Sequence, residues 1–257
     1  MSTAQTWSLV VFCYNEVATV ARVVAEAETV LQRMRVPAYE ILVVDDGSTD
    51  GSVAEITRAA ALSGAVRPIF HPVNRGIGQA LRSGYAAARY ENLCAIPADG
   101  QFDLQELLPL ATVPADAFVS FYRRENTTYT PARNALSYAN RVVNRWLLGL
   151  DLRDVNWVKI YKTAAVQSLP LELESSLVES ELCAKLRRSG YRPLEVVSKY
   201  LPRTAGQSKG ASWPIVRQAL RDTLLLRRVL GRFRVKNTLE AGRWTLDSVP
   251  NVDPSNV

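Results

Sequence analysis

"YEILVVDDGSTDGS", residues 39–52, runs a short apolar segment into two adjacent carboxylates and then into a turn. Residues 39–45 have the length and the aliphatic, β-branched content of a strand. Gly47, Ser48, Asp50 and Gly51 are turn formers, and Ser48 and Asp50 are capping types ahead of a helix expected at about 52–63. Asp45 and Asp46 therefore stand at the carboxyl end of a strand. They either cap the turn and the helix after it, or accept hydrogen bonds from a base NH or ribose hydroxyls. Spacing alone leaves both readings open.

The same rhythm continues on either side. Residues 7–13, WSLVVFC, form an apolar run ended by the polar turn YNE. Val20, Val23, Val24, Ala27, Val30 and Leu31 recur at helical spacing over residues 19–34. Further strands are expected at 66–70, 93–97 and 117–121, with helices at 77–88 and 104–111. Strands alternating with such helices predict an α/β fold with a mostly parallel central sheet flanked by helices. Ligands of such sheets bind at the carboxyl ends of the strands. Four exits carry polar residues there: Tyr14-Asn15-Glu16, Asp45-Asp46, Asn74-Arg75-Gly76 and Asp99-Gly100-Gln101. They are expected to converge on one crevice.

After Phe121 the rhythm changes. Residues 130–150 read as a long amphipathic helix, 154–162 as strand-like and 177–190 as a helix. The segment YRPLEVVSKYLPR reads as extended, about 213–236 as a basic helix, and the last 14 or so residues as disordered.

Composition narrows the chemistry. The chain has 257 residues, 47% of them hydrophobic and 22% charged, which suits a globular core. No apolar run reaches the ~18 residues a membrane-spanning helix needs, and the N-terminus lacks a basic, signal-like region. Cys13, Cys94 and Cys183 are widely spaced and read as free thiols of a reducing cytosol, two of them in strands. His71 is the one histidine, which argues against a Ser-His-Asp triad and excludes a multi-histidine metal centre. A metal here would need oxygen ligands, which suits Mg²⁺ or Mn²⁺. The net charge is +6, yet from Lys199 to Lys236 ten Lys/Arg face Asp222 alone. A basic segment of that kind points to an anionic partner.

"NRGIGQALRSG" (74–84) has glycines at 76, 78 and 84 but Leu81 where a dinucleotide fingerprint needs its third glycine. A dinucleotide-binding reading is therefore weak, and the alternative is a loop whose glycines permit a sharp turn and close packing. In "PADGQFD" (97–103), Asp99 and the Gln101 amide oxygen could hold a divalent ion on a diphosphate, or Asp99 could simply be solvated at a strand end. "RTAGQSKG" (203–210) sets Arg203 and Lys209 on a glycine-containing loop, suited to phosphate or to an ordinary basic surface. The basic helix has a wide apolar face edged with arginines. It reads as an interfacial helix, or as one packed on the domain or on a partner copy.

Taken in order, these segments resemble the family 2 glycosyltransferases of the GT-A fold, nearest to the dolichol- or polyprenol-phosphate sugar transferases. The resemblance is carried by "FCYNE", "VVDDGSTDGS", "NRGIGQALRSGY", "PADGQFD", "DLRDVNWVKIYK" and "RTAGQSKG". It implies an inverting, metal-dependent transfer from a nucleotide sugar to a polyprenyl phosphate. Phe12, Tyr14, Glu16, Asp45, Asp46, Gly76, Ala98, Asp99, Arg203 and Lys209 would bind the nucleotide sugar. Asp99 and Gln101 would hold Mg²⁺ or Mn²⁺. Arg123, Arg124, Arg133 and Ser137 would face the acceptor. A hydroxyl acceptor would need a base, for which Asp154 comes first and Glu181 second; a phosphate acceptor would need none.

The resemblance implies a catalytic domain over 1–212, with a nucleotide-sugar half at about 7–121 and an acceptor half at about 122–212. A basic amphipathic tail at 213–240 and a disordered end at 241–257 follow. The enzyme would be cytoplasmic and peripheral at the inner membrane face, with no nucleic-acid partner and with a homo-oligomer left open. Four residues depart from the family pattern: Cys13, Pro97, Trp157 and Val158. Pro97 stands where a first acid is usual, and Trp157 fills a position the family keeps small. Two alternatives follow: a soluble small-molecule acceptor, or a nucleotide-sugar binder without catalysis.

Overall fold

The computed structural model describes residues 5–123, 145, 149–202 and 213–233. Three βαβ units open the chain. They comprise β1 (Trp7–Cys13), α1 (Val20–Arg33), β2 (Tyr39–Asp45), α2 (Ser52–Leu62), β3 (Val66–Phe70), α3 (Ile77–Ala87) and β4 (Asn92–Pro97). A 3₁₀ segment, Leu104–Leu110, leads to β5 (Ala117–Arg123). Then come β6 (Lys159–Lys162), α4 (Thr163–Gln167), α5 (Val178–Arg188), β7 (Arg192–Ser198) and α6 (Trp213–Arg232).

Among the described residues these strands form one seven-stranded sheet in the order β3-β2-β1-β4-β6-β5-β7. The first four run parallel, as expected. β6 runs antiparallel to both neighbours and separates β5 from β4, while β5 and β7 pair in parallel. The strand-like reading of 154–162 thus narrows to four residues. Chain order reverses between β1 and β4, where one crossover runs to β2 and the other arrives from β3. In an open α/β sheet that switch point leaves a crevice at the strands' carboxyl ends.

Alternating side chains build two layers. Leu9, Val11, Ile41 and Val43 pack with Val20, Val24 and Val30 of α1 and Ile56 of α2. Val10, Leu42 and Val44 face Ala80, Leu81 and Tyr85 of α3, Leu182 of α5 and Leu226 and Leu230 of α6. The last pair shows that α6 lies on the domain with one face. Its Leu224 and Leu225 remain 64% and 45% exposed beside the exposed Arg221, Arg227 and Arg228.

All three cysteines are buried and free, Cys13 and Cys94 in strands and Cys183 in α5. The glycines of residues 74–84 divide by role. Gly76 has a left-handed φ of 88° at the turn. A Cβ on Gly78 would meet Glu174 O at 2.1 Å, and one on Gly84 would meet Val10 Cγ1 at 2.4 Å. Packing therefore requires those two. The expected helix over 130–150 lies largely outside the described residues, and the disordered end expected at 241–257 lies wholly outside them.

Candidate active site

The turns after β1 and β2 are built as one clasp. Asn15 adopts a left-handed φ of 56°, a conformation its short amide tolerates. Its NH donates to Ser48 Oγ at 2.8 Å, and its Oδ1 accepts from Thr49 NH at 2.8 Å. Glu16 NH donates to Ser52 Oγ at 3.0 Å and Val17 NH to Asp50 Oδ2 at 3.0 Å. Ser48 thus holds the other turn rather than capping α2, and Gly51 occupies the N-cap position. Partial burial raises the Asp50 carboxyl, but hydrogen bonds from Ser52 and Val17 outweigh it and hold the group below the usual carboxylate range.

The two aspartates diverge. Asp45 is fully buried, and its Oδ2 accepts from Ser48 NH at 2.9 Å. It shapes the turn. Asp46 turns toward the crevice and collects three donors: His71 Nδ1 at 2.7 Å, Arg75 NH at 2.9 Å and Gly76 NH at 2.7 Å. The β2 exit thereby fixes the turn ahead of α3. His71 Nε2 in turn lies 2.9 Å from Ser83 Oγ. A Ser-His-Asp series does exist in this chain, although one histidine argued against it. Its aspartate end, not its serine, faces the crevice.

At the fourth exit Ala98 NH donates to Phe12 O at 3.0 Å, extending the β1–β4 pairing past Pro97. Asp99 Oδ1 accepts from Gln101 NH at 3.0 Å. A cavity of about 240 Å³ opens at this switch point. Phe12, Tyr14 and Glu16 line it from the first exit, Asp46 from the second, Gly76 from the third, and Ala98 and Asp99 from the fourth. Seven of the expected nucleotide-sugar residues thus meet. Asp45 does not line the cavity, and Arg203 and Lys209 lie outside the described residues. The sequence reading omitted Cys13, Ile77 and Ala80 from its binding set, though each lines the cavity. They lie inside the quoted segments but are apolar, so they carry no chemical signal of their own. Burial pushes the Cys13 thiol up to about 12, so it contributes shape rather than a nucleophile.

Gln101 sits beside the cavity without lining it, and its side-chain amide is hydrogen-bonded to the Tyr200 hydroxyl. Leu201 NH donates to Gln101 O at 3.0 Å, and Phe102 and Tyr200 form an antiparallel bridge. The segment leading to Arg203 is therefore stapled to the Asp99 loop. Asp99 and Gln101 offer hard oxygen donors, which fits Mg²⁺ or Mn²⁺. Among the described residues no three His, Cys, Asp or Glu side chains gather to ligate a cation. An ion at Asp99 would need oxygens from a bound diphosphate or from water.

On the β5 side, Arg123 Nε donates to Asp154 Oδ2 at 2.7 Å, and its guanidinium lies 4.6 Å from the Trp157 ring centroid. Trp157 does not enter the cavity. It packs at 5.6 Å from Tyr200, its Nε1 donating to Ser198 Oγ at 2.8 Å. Buried Lys159 fixes this segment by donating to Val155 O and Trp157 O at 2.5 and 2.8 Å. Glu181, the second candidate base, is 0% exposed. It accepts from Glu172 NH and Leu173 NH, both at 2.9 Å, and from Lys185 Nζ at 2.6 Å. That geometry makes it a structural acceptor with no path to an incoming hydroxyl. Arg124, Arg133 and Ser137 lie outside the described residues.

Comparison with known proteins bears on the family and the fold. The family model described as Glycosyl transferase family 2 matches residues 8–165. An undecaprenyl-phosphate mannosyltransferase of Micrococcus luteus is 27% identical over 193 residues, covering 70% of this chain and 79% of that protein. The undecaprenyl-phosphate 4-deoxy-4-formamido-L-arabinose transferase of Aeromonas hydrophila is 26% identical over 211 residues, 79% of this chain and 62% of that one. Among solved structures, the glucosyl-3-phosphoglycerate synthase of Mycobacterium tuberculosis, crystallised with Mn²⁺, UDP and glucosyl-3-phosphoglycerate, superposes with a TM-score of 0.63 at 21% identity. The match covers 87% of this chain and 80% of that one, and at that identity the likeness is one of fold.

Proposed function

The chain belongs to glycosyl transferase family 2 and is a glycosyltransferase of the GT-A fold, and from that premise we propose that it moves a sugar, with inversion, from a nucleoside-diphosphate donor to a polyprenyl-phosphate-type acceptor. The convergence of four strand exits on one cavity, with Asp99 in its wall, is the observation that carries this reading. The names of the undecaprenyl-phosphate relatives support the acceptor class.

In this reading Tyr14, Glu16 and Asp46 hold the nucleotide. A carboxylate has about four lone-pair sites, and three donors already occupy Asp46, so it offers little beyond one bond and mainly sets the wall. Asp99 and the Gln101 amide oxygen would hold Mg²⁺ or Mn²⁺, which would supply neutralisation of the diphosphate. Arg203 and Lys209 add positive charge to the leaving group. Arg123, with Arg124, Arg133 and Ser137, holds the acceptor phosphate. Its oxygen attacks the anomeric carbon from the face opposite the diphosphate. The new carbon–oxygen bond forms as the bond to the diphosphate breaks, with inversion, and the nucleoside diphosphate leaves. The phosphate is already an anion, so the step needs no strong base.

Residues 7–121 then form the donor half and 122–212 the acceptor half. The tail at 213–240 faces an anionic membrane surface from the cytoplasmic side. Exposed Leu224 and Leu225 beside exposed arginines support that placement. Among the described residues no helix is long and apolar enough to cross a membrane.

A screen of nucleotide sugars with Mg²⁺ or Mn²⁺, with and without undecaprenyl phosphate, tests the reading. Lipid-linked sugar is expected from one donor class. Turnover only with a water-soluble alcohol would move the acceptor to a small molecule, and no turnover of any donor would overturn the proposal.

A further inference from the structure

We propose that His71 is a positioning residue of the donor site, acting on the cavity wall through Asp46. This rests on the cavity being the donor site. His71 follows β3 directly, and its backbone NH donates to Asp45 O at 2.9 Å, so the ring has a fixed root. The side chain is 6% exposed and lies between Asp46 Oδ1 at 2.7 Å and Ser83 Oγ at 2.9 Å. It ties the β2 exit to the middle of α3, whose first turn contributes Ile77 and Ala80 to the cavity.

Proton bookkeeping fixes the arrangement. An ionised Asp46 only accepts, so Nδ1 carries the hydrogen. In the neutral ring Nε2 then accepts the Ser83 hydroxyl hydrogen. Asp46 keeps both oxygens directed by three donors, two of them the NH groups of Arg75 and Gly76. Those two groups hold the turn on which Gly76 and Asn74 face the cavity. Take away the imidazole, and a carboxylate only 5% exposed loses one of its three donors. A buried acceptor left short of partners reorients or draws in water, and the 74–76 turn follows it. The order of the series supports buttressing rather than nucleophilic chemistry. Ser83 is absent from the cavity lining and Asp46 is in it.

The test uses the full chain and three variants: His71→Ala, His71→Gln and Ser83→Ala. Calorimetry with Mn²⁺ and either UDP or GDP reads affinity, and amide hydrogen exchange at Arg75 and Gly76 reads the turn. His71→Ala is expected to weaken nucleotide binding about tenfold and speed exchange at both amides about tenfold, while still melting cooperatively. His71→Gln, whose side-chain amide can donate to Asp46, should recover most of both losses. Ser83→Ala should cost only about two- to threefold, and it keeps the question decidable if His71→Ala does not fold. Wild-type ¹⁵N imidazole shifts should show hydrogen on Nδ1. Binding and exchange within twofold of wild type in His71→Ala, or an Nε2–H tautomer, would overturn the proposal. A wild-type chain that binds neither nucleotide would count against the donor-site reading, and exchange at Arg75 and Gly76 would still decide the role of His71.

Discussion

Arg123 and Asp154 form a largely buried ion pair, Nε to Oδ2 at 2.7 Å, with side-chain exposures of 18% and 15%. Asp154 Oδ1 also accepts from Asn156 NH at 3.1 Å. The carboxylate is thus committed to Arg123 and to Asn156 NH. Its geometry aims the Arg123 guanidinium, which lies 4.6 Å from the Trp157 ring centroid and 5.6 Å from that of Tyr200. Asp154→Asn should therefore keep kcat on a lipid-phosphate acceptor within about tenfold while raising the acceptor KM, because orientation is weakened and no base is lost. On a hydroxyl acceptor that needs a base, kcat should instead fall about 10²- to 10⁴-fold. Steady-state kinetics that separate kcat from KM distinguish the two. A hundredfold loss of kcat with a phosphate acceptor would remove the positioning role.

Two helical glycines should respond oppositely to alanine. A Cβ at Gly84 would sit 2.4 Å from Val10 Cγ1 in the sheet beneath α3, whereas nothing lies within 4 Å of one at Gly231 in α6. Gly84→Ala should destabilise the domain by about 1–3 kcal/mol through overpacking. Gly231→Ala should be neutral or stabilise by up to ~1 kcal/mol through helix propensity. Chemical denaturation of both variants checks the sign, and a stabilised Gly84→Ala would contradict the close α3–β1 packing.

The thiols give a pH signature. Burial pushes Cys13 up to about 12 and Cys183 to about 11, and it raises Cys94 as well. A thiol that stays protonated when folded binds more protons in the native than in the unfolded chain once pH passes the unfolded value of ~8.5. Stability should thus be unaffected by these groups below that pH and decline above it. At pH 8 a thiol reagent should titrate almost nothing in the native protein and three thiols after denaturation, since the thiolate is the reactive form. Rapid native labelling of Cys13 would show that the cavity wall opens.

The first four strands were legible because each is an apolar run followed by turn residues, and local chemistry alone marks such exits. Convergence of Tyr14, Asp46, Gly76 and Asp99 followed from the parallel arrangement. What local pattern could not supply was pairing across distance. β6 enters the sheet between β4 and β5 through contacts some 65 residues apart in sequence, such as Cys94 with Ile160. Glu181 looked like a helix-borne acid until its partners at 172 and 173 were in place. His71 read as a lone histidine because Asp46 and Ser83 lie 25 and 12 residues away. The structure also divides the carboxylates at 45 and 46, where spacing left ligand binding and capping equal.

Pro97 explains why one acid before Asp99 can be missing without loss of fold. It ends β4 opposite Phe12, and β6 pairs with β4 only from Asn92 to Ala95. Among the described residues no strand on that side pairs with position 97, so proline forfeits no ladder bond there. Its ring instead lines the cavity next to Asp99. Pro97→Asp should accordingly fold with a Tm within a few degrees of wild type, and its added carboxylate should lower the Mn²⁺ concentration needed for half-maximal turnover. Asp99→Ala removes the carboxylate in the wall and should cut metal-dependent turnover by about 10²-fold or more, while circular dichroism stays native. Its Oδ1 accepts a local bond from Gln101 NH, and the circular dichroism control separates a loss at the site from global unfolding. Turnover by Asp99→Ala at the wild-type rate, with unchanged Mn²⁺ dependence, would move the metal away from this loop.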